Sequence, residues 1–229
     1  MLDCPFFRVP DKKMTGESPS AAQLAGIADP FVRELAALGR LRTYPKNTVF
    51  ITEGDSSDSV FVVLSGRVKI FLSDTEGHEM ILDTQGSGEY VGEMALDGKP
   101  RSASVMTMEP SVFSVVSRDP LREAIRRNPD FALDMISKII DRARLATNSV
   151  KDLALLDVYG RVARLLLNMA VEKDGKLEIP EKLTQQEIAE RVGASRDMVS
   201  RIFRDLTAGG YISVESRHIT INKKPPARW

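Results

Sequence analysis

The sequence predicts an α+β chain in three parts: an N-terminal, jelly-roll-like β-roll, one long helix, and a C-terminal winged helix-turn-helix. Three observations predict it. Short β-type runs punctuated by glycine fill residues 41–116, an apolar three-four repeat runs unbroken through 130–154, and two short amphipathic patterns meet at Gly193 ahead of a pair of strands. At 229 residues the chain is long enough for two domains of ordinary size.

Residues 1–20, rich in proline, lysine and serine, read as a flexible N-terminal segment. Leu24, Ile27, Phe31, Leu35 and Leu38 predict one amphipathic helix over 21–40, which opens a domain reaching to residue 129. Within it Val60–Leu64, Val68–Leu72, Met80–Leu82 and Val112–Val116 read as strands, with bends at Gly54, Gly66, Gly77, Gly86, Gly88 and Gly98–Pro100. Many brief strands with glycine-rich bends build a sandwich or barrel. Pro120 and Pro129 bracket a short helix.

The helix predicted over 130–154 carries Ile136, Ile139, Ala143, Ala146, Val150 and Leu153 at the spacing of a coiled-coil seam. Such a stripe packs either on the chain's own sheet or on a second copy. Residues 155–229 form the last domain: a helix over 155–173 closed by an Asp174–Gly175 turn, then the pair in TQQEIAERVGASRDMVSRIFRDL, residues 184–206. Thr184 and Glu187 form a capping box, Gly193 supplies a left-handed turn, and Ser195 caps a helix whose inner face reads as Met198, Val199, Ile202, Phe203 and Leu206. Arg196, Asp197, Ser200, Arg201 and Arg204 are left pointing outward. A short first helix, a glycine turn and polar residues crowded at the start of the second are what a major-groove reader presents to base edges. Strands near 211–214 and 218–221 complete the wing. Arg217 at its tip reads as a phosphate contact or an ordinary solvated arginine.

The formal net charge is zero, but the charge is segregated. Residues 47–97 hold two basic and ten acidic groups, whereas residues 159–229 hold thirteen basic and nine acidic groups. The carboxyl end is therefore the part expected to face phosphates. No apolar run spans a bilayer and no secretory signal opens the chain, so a cytoplasmic address and no membrane contact are expected. Cys4 is the single cysteine, which excludes an intrachain disulfide and a thiolate-built cluster. No metal site is expected. His78 and His218 read as surface histidines, and no histidine base, carboxylate cluster or activated nucleophile supports a catalytic residue, so the chain is not expected to be an enzyme.

A second segment, GSGEYVGEMALDGKPRSASV at 86–105, combines flexible backbone at Gly88 and Gly92 with Glu93, Met94, Arg101 and Ser102. Amides of a short helix starting at Gly92–Met94, a guanidinium and a hydroxyl make an anion pocket. An ordinary hairpin turn held by a Glu93–Arg101 ion pair fits the same residues.

With EGD at 53–55, LSGRV at 64–68, GEYVGEMAL running on to PRSASV, LDVYGRVARLL at 156–166 and the 184–206 segment, the chain resembles the catabolite activator and fumarate-nitrate regulator family of bacterial transcription regulators, from about Leu24 to Ile221. The branch that it resembles binds cyclic AMP in the roll, pairs through the long helix and binds a palindromic operator. The resemblance implies that Gly92, Glu93 and Met94 form the phosphate cassette, with Glu93 on the ribose. It implies that Arg101 and Ser102 hold the phosphate, and that Arg196, Asp197 and Arg201 read base edges. Two positions depart from the pattern. Ala146 replaces the first hydroxyl of the dimer-helix pair, leaving Thr147 as the second, and Asp197 stands where glutamate is usual. The expected partners are operator DNA, a second copy of the chain and RNA polymerase. The expected effector is cyclic AMP, with no tightly bound cofactor. The rival effector is cyclic di-GMP, for which Arg118, Arg122, Arg126 and Arg127 are candidate ligands. A ligand-binding subunit that docks on protein through its helical tail is the remaining reading.

Overall fold

The computed structural model describes residues 16–56, 58–173 and 175–226. Cys4, Asp174 and the first fifteen residues lie outside them. Two helices, α1 (Ala21–Ala25) and α2 (Pro30–Ala37), stand where the periodicity predicts one. Asp29 ends the run: its carboxylate accepts from the Phe31 amide at 3.0 Å, and Pro30 takes the first helical position, where no N–H is needed. The apolar spacing continues across the break, so Ile27, Phe31 and Leu35 still enter one core. Lys138 pairs with the same carboxylate at 2.9 Å, and this hydrogen bond leads the effects that hold Asp29 below the usual carboxylate range.

Eight strands follow: β1 (Arg40–Tyr44), β2 (Val49–Ile51), β3 (Val60–Ser65), β4 (Val68–Ser73), β5 (Glu79–Gln85), β6 (Tyr90–Val91), β7 (Ser104–Thr107) and β8 (Ser111–Val116). They form two four-stranded sheets, ordered β1-β8-β3-β6 and β2-β7-β4-β5. Residues 16–20, read as flexible from composition, run beside β1. The Leu41 amide donates to the Glu17 carbonyl at 2.8 Å and Arg40 donates to the Ser18 hydroxyl at 2.9 Å, so the sheet's edge is covered.

The continuous apolar run of β3 follows from its place in the roll. Phe61 and Val63 pack between the sheets with Ile51, Val68, Val91, Val105, Phe113 and Val115. Val60, Val62 and Leu64 point the other way, against α1, α2, α3 (Arg118–Arg127) and the start of α4 (Asp130–Leu155). A strand buried on both faces loses the alternation of a half-exposed one.

The chain forms two compact units. The first runs through Leu72 and from Leu82 to Asp141; the second holds Ser73–Ile81 and the chain from Arg142 onward. Helix α4 passes from one to the other. The core of the second unit gathers Val162 and Leu166 of α5 (Val158–Met169), Ile188 and Val192 of α6 (Gln185–Val192), and Val199, Ile202, Phe203 and Leu206 of α7 (Arg196–Ala208). It rests on a sheet ordered β11-β12-β10-β9, from β9 (Val171–Lys173), β10 (Lys176–Ile179), β11 (Ile212–Glu215) and β12 (His218–Ile221). The helix predicted to residue 173 therefore stops at Met169. Val171–Lys173 pairs with β10 instead, because Leu177 and Ile179 offer a strand there that local periodicity does not reveal.

The β4–β5 turn is self-contained. Asp74 accepts from the amides of Glu76 and His78 and from His78 Nδ1 at 2.9 Å, while Glu76 lies 3.7 Å from the same ring. The Asp74 hydrogen bond raises the imidazole above its ordinary value, and the same bond lowers Asp74. The pair's contribution is thus present below the unfolded histidine value and fades as pH rises through the folded one; at the acid end it fades as pH falls through the depressed Asp74 value. In an NMR titration His78 should titrate above a free histidine, and Asp74→Asn should bring it down. No change on substitution would remove the pair from the turn.

Candidate functional site

The segment 92–102 folds around Arg101, which is 5% exposed. Its Nη1 donates to the Gly92 carbonyl at 2.7 Å and its Nη2 to the Ser59 carbonyl at 2.8 Å. The Arg101 amide donates to Asp55, and the Arg101 carbonyl accepts from the Gly54 amide, both at 2.9 Å. One guanidinium and its own backbone thus tie the EGD turn, the start of β3 and the end of β6 together. Gly92 has φ of +89°, and a Cβ there would sit 2.6 Å from Arg101 Nη1 and 3.1 Å from the Ser59 carbonyl. No other residue fits that backbone without displacing the arginine. Glu93 is buried at the head of a 3₁₀ turn, Glu93–Asp97. Met94 is exposed, and the exposed Ser102 hydroxyl contacts its sulfur at 3.4 Å. The structure thus brings Gly92, Glu93, Met94, Arg101 and Ser102 into one segment. Sequence reasoning missed the carbonyl of Ser59, a backbone group 42 positions from its partner that carries no side-chain signal.

Thr147 lies in the other compact unit, on α4, where its exposed hydroxyl donates to the Ala143 carbonyl at 2.9 Å. Phe131 and Met135 are the buried residues of α4, whereas Ile136, Ile139, Val150 and Leu153 are 40–65% exposed on the described chain. Leu133 and Ile140 widen that apolar surface, whereas Leu145 and Leu155 are exposed on the other side of the helix.

The helix pair is built as its caps predict. Thr184 and Glu187 complete the capping box, Gly193 is left-handed at φ 62°, and the Ser195 hydroxyl accepts from the Met198 amide. Arg196, Asp197, Arg201 and Arg204 are exposed on α7 and Ser200 is half-buried. One inner-face assignment is corrected. Met198 is 41% exposed, because α7 buries the face centred on Val199, Ile202, Phe203 and Leu206, and Met198 falls to its side. Arg196 and Arg217 line one cleft of about 350 Å³ with Gln185 and Gln186, between the starts of α6 and α7 and the wing. Arg217 sits in a two-residue turn with Ser216, at φ 69° and 49°, the tight hairpin geometry of the wing tip.

Among the described residues no helix can cross a membrane and no cluster of metal-ligand side chains forms. A β-roll, a long helix with an uncovered apolar face and a winged helix-turn-helix on one chain define a class: ligand-responsive regulators that bind DNA as homodimers. Residues 41–128 match the cyclic nucleotide-binding domain and residues 160–225 the Crp-like helix-turn-helix domain. The chain is 31% identical over 198 residues to the cAMP-activated global transcriptional regulator CRP of Salmonella typhimurium, covering 84% of this chain and 94% of that protein. It is 32% identical to the CRP-like cAMP-activated global transcriptional regulator of Mycobacterium tuberculosis, covering 78% and 82%. Among solved structures, the c-di-GMP responsive global regulator CLP of Xanthomonas campestris superposes with a TM-score of 0.73 at 26% identity, covering 84% of this chain and 99% of that one. The chain belongs to the CRP family of transcription regulators, whose members act by binding rather than turnover.

Proposed function

We propose that the effector is cyclic AMP and that its phosphate is held by Arg101 and Ser102 over the Gly92–Met94 backbone, with Glu93 on the ribose and Thr147 toward the base. The observation that carries this reading is the bracing of Arg101 by the Gly92 and Ser59 carbonyls, which fixes a cation beside a glycine backbone that an anion can approach closely. The cAMP-activated relatives at 31–32% identity support the same choice. On the operator, Arg196, Asp197 and Arg201 read base edges, Ser200 and Arg204 lie along the groove, and Arg217 grips a backbone phosphate from the wing. RNA polymerase is the expected protein partner at an activated promoter.

Cyclic di-GMP is the second reading, favoured by the likeness to the regulator from Xanthomonas campestris. Against it, Arg126 and Arg127 are exposed and share Glu123, and Arg118 donates to the Leu96 carbonyl, so none of the three is buried and braced as Arg101 is. Calorimetric titration of the full chain with cyclic AMP, cyclic GMP and cyclic di-GMP decides between them. Saturable binding of cyclic AMP, with tighter operator binding in its presence, is expected. Binding of cyclic di-GMP alone overturns the assignment.

A further inference from the structure

We infer that Arg161 is a positioning residue that locks the helix-turn-helix to the hinge at the end of α4, and thereby sets the spacing at which the dimer presents its recognition helices. Helix α4 ends at Leu155 and α5 begins at Val158, capped by the Asp157 carboxylate, which accepts from the Gly160 amide at 2.7 Å. Leu156 and Asp157 are thus the connection. From the first turn of α5, Arg161 donates through Nη1 to the Leu156 carbonyl at 3.0 Å, through Nε to the Val192 carbonyl at 2.8 Å and through Nη2 to the Gly193 carbonyl at 3.4 Å. Val192 is the last residue of α6 and Gly193 its left-handed cap.

Carbonyls at a helix C-terminus lack intrahelical partners and carry the negative end of the helix dipole, so a cation is favoured there. A lysine would meet that need with one point charge. The planar guanidinium also fixes direction, because its donors lie in one rigid fork and hold the connection and the turn at the same time. Leu153 adds a packing contact: one of its methyl carbons lies 3.6 Å from the position a Cβ on Gly193 would take. One turn further along α5, Arg164 pairs with Asp152 in the last turn of α4. The recognition helix α7 starts three positions beyond Gly193, at Arg196. Any swing of the turn about the connection therefore moves the base-reading side chains, and one base pair corresponds to a displacement of about 3.4 Å along the duplex.

The inference rests on the reading of a two-site operator bound by a homodimer, and is independent of which nucleotide is the effector. An operator is selected from a randomised duplex pool with the wild-type protein. Variants with one base pair added or removed between the half-sites are then compared by fluorescence anisotropy, with and without cyclic AMP. Full-length wild type, Arg161→Met, which keeps the apolar stem and loses the donors, and Arg161→Lys are used. Wild type is expected to prefer its own spacing by roughly tenfold or more, Arg161→Met to bind all three duplexes within about threefold, and Arg161→Lys to fall between. Unchanged spacing preference in Arg161→Met overturns the inference, even if its melting temperature drops, because that drop marks a purely structural residue. A wild type indifferent to spacing overturns the two-site reading and the inference with it. A wild-type spacing preference and affinity unmoved by cyclic AMP instead count against the proposed effector, while a flattened Arg161→Met profile still supports the lock.

Discussion

Arg101→Met should lose cyclic AMP binding by about 30-fold to 1,000-fold, which corresponds to roughly 2–4 kcal/mol for removing charge-assisted hydrogen bonds. The same side chain holds the Gly92 and Ser59 carbonyls, so on the proposed reading the substitution both removes the cation that meets the phosphate and loosens the backbone beside it. Calorimetry measures the first effect, and thermal unfolding of the full chain measures the second. Ser102→Ala separates them. Ser102 is exposed and its hydroxyl contacts the Met94 sulfur, so its removal should weaken nucleotide binding by about 0.5–1.5 kcal/mol and leave the melting temperature unchanged. If Arg101→Met bound cyclic AMP within threefold of wild type, the pocket would have to lie elsewhere.

The second large effect is expected on α4. Ile139→Glu combined with Val150→Glu should convert the dimer to monomer and abolish operator binding at concentrations where wild type saturates. Each apolar side chain buried at a seam contributes about 1.5–3 kcal/mol, and a symmetric dimer loses every contribution twice. Charging both positions also leaves carboxylates facing their own copies across an apolar surface, which costs more than deletion. The dimer constant should therefore weaken by at least about 1,000-fold. Sedimentation velocity reads the mass and anisotropy reads the operator. Asn148→Glu, on the opposite side of α4, should leave both intact. A double variant that sedimented as a dimer would place the interface on another surface.

Much of this was legible in the residues, for identifiable reasons. The capping box at Thr184 and Glu187, the left-handed Gly193 and the Ser195 cap are local devices whose partners lie within a few positions, and the structure forms each of them. The long stripe of α4 was legible because its three-four spacing persists from Ile136 to Leu153. Asp29 and Pro30 carried an equally local signal, yet an apolar spacing that ran straight across them hid the break between α1 and α2. Met198 was misplaced for a related reason: a hydrophobic residue next to a buried valine looks internal until the helix's rotation is fixed by what it packs against.

By itself, then, the sequence determined the caps and turn of the α6–α7 pair, the apolar stripe of α4 and the residue types of the 92–102 segment, since each depends on neighbours close in the chain. Tertiary structure alone decided that Val171–Lys173 is a strand, since the partner it pairs with, β10, leaves no mark on the periodicity of the helix before it. It alone joined Arg101 to Ser59 across 42 positions and Arg161 to Gly193 across 32. In both cases a guanidinium finds backbone carbonyls, and a carbonyl is present at every residue. No pattern of side chains can announce which one an arginine will hold; only the packing that brings two distant segments together selects it.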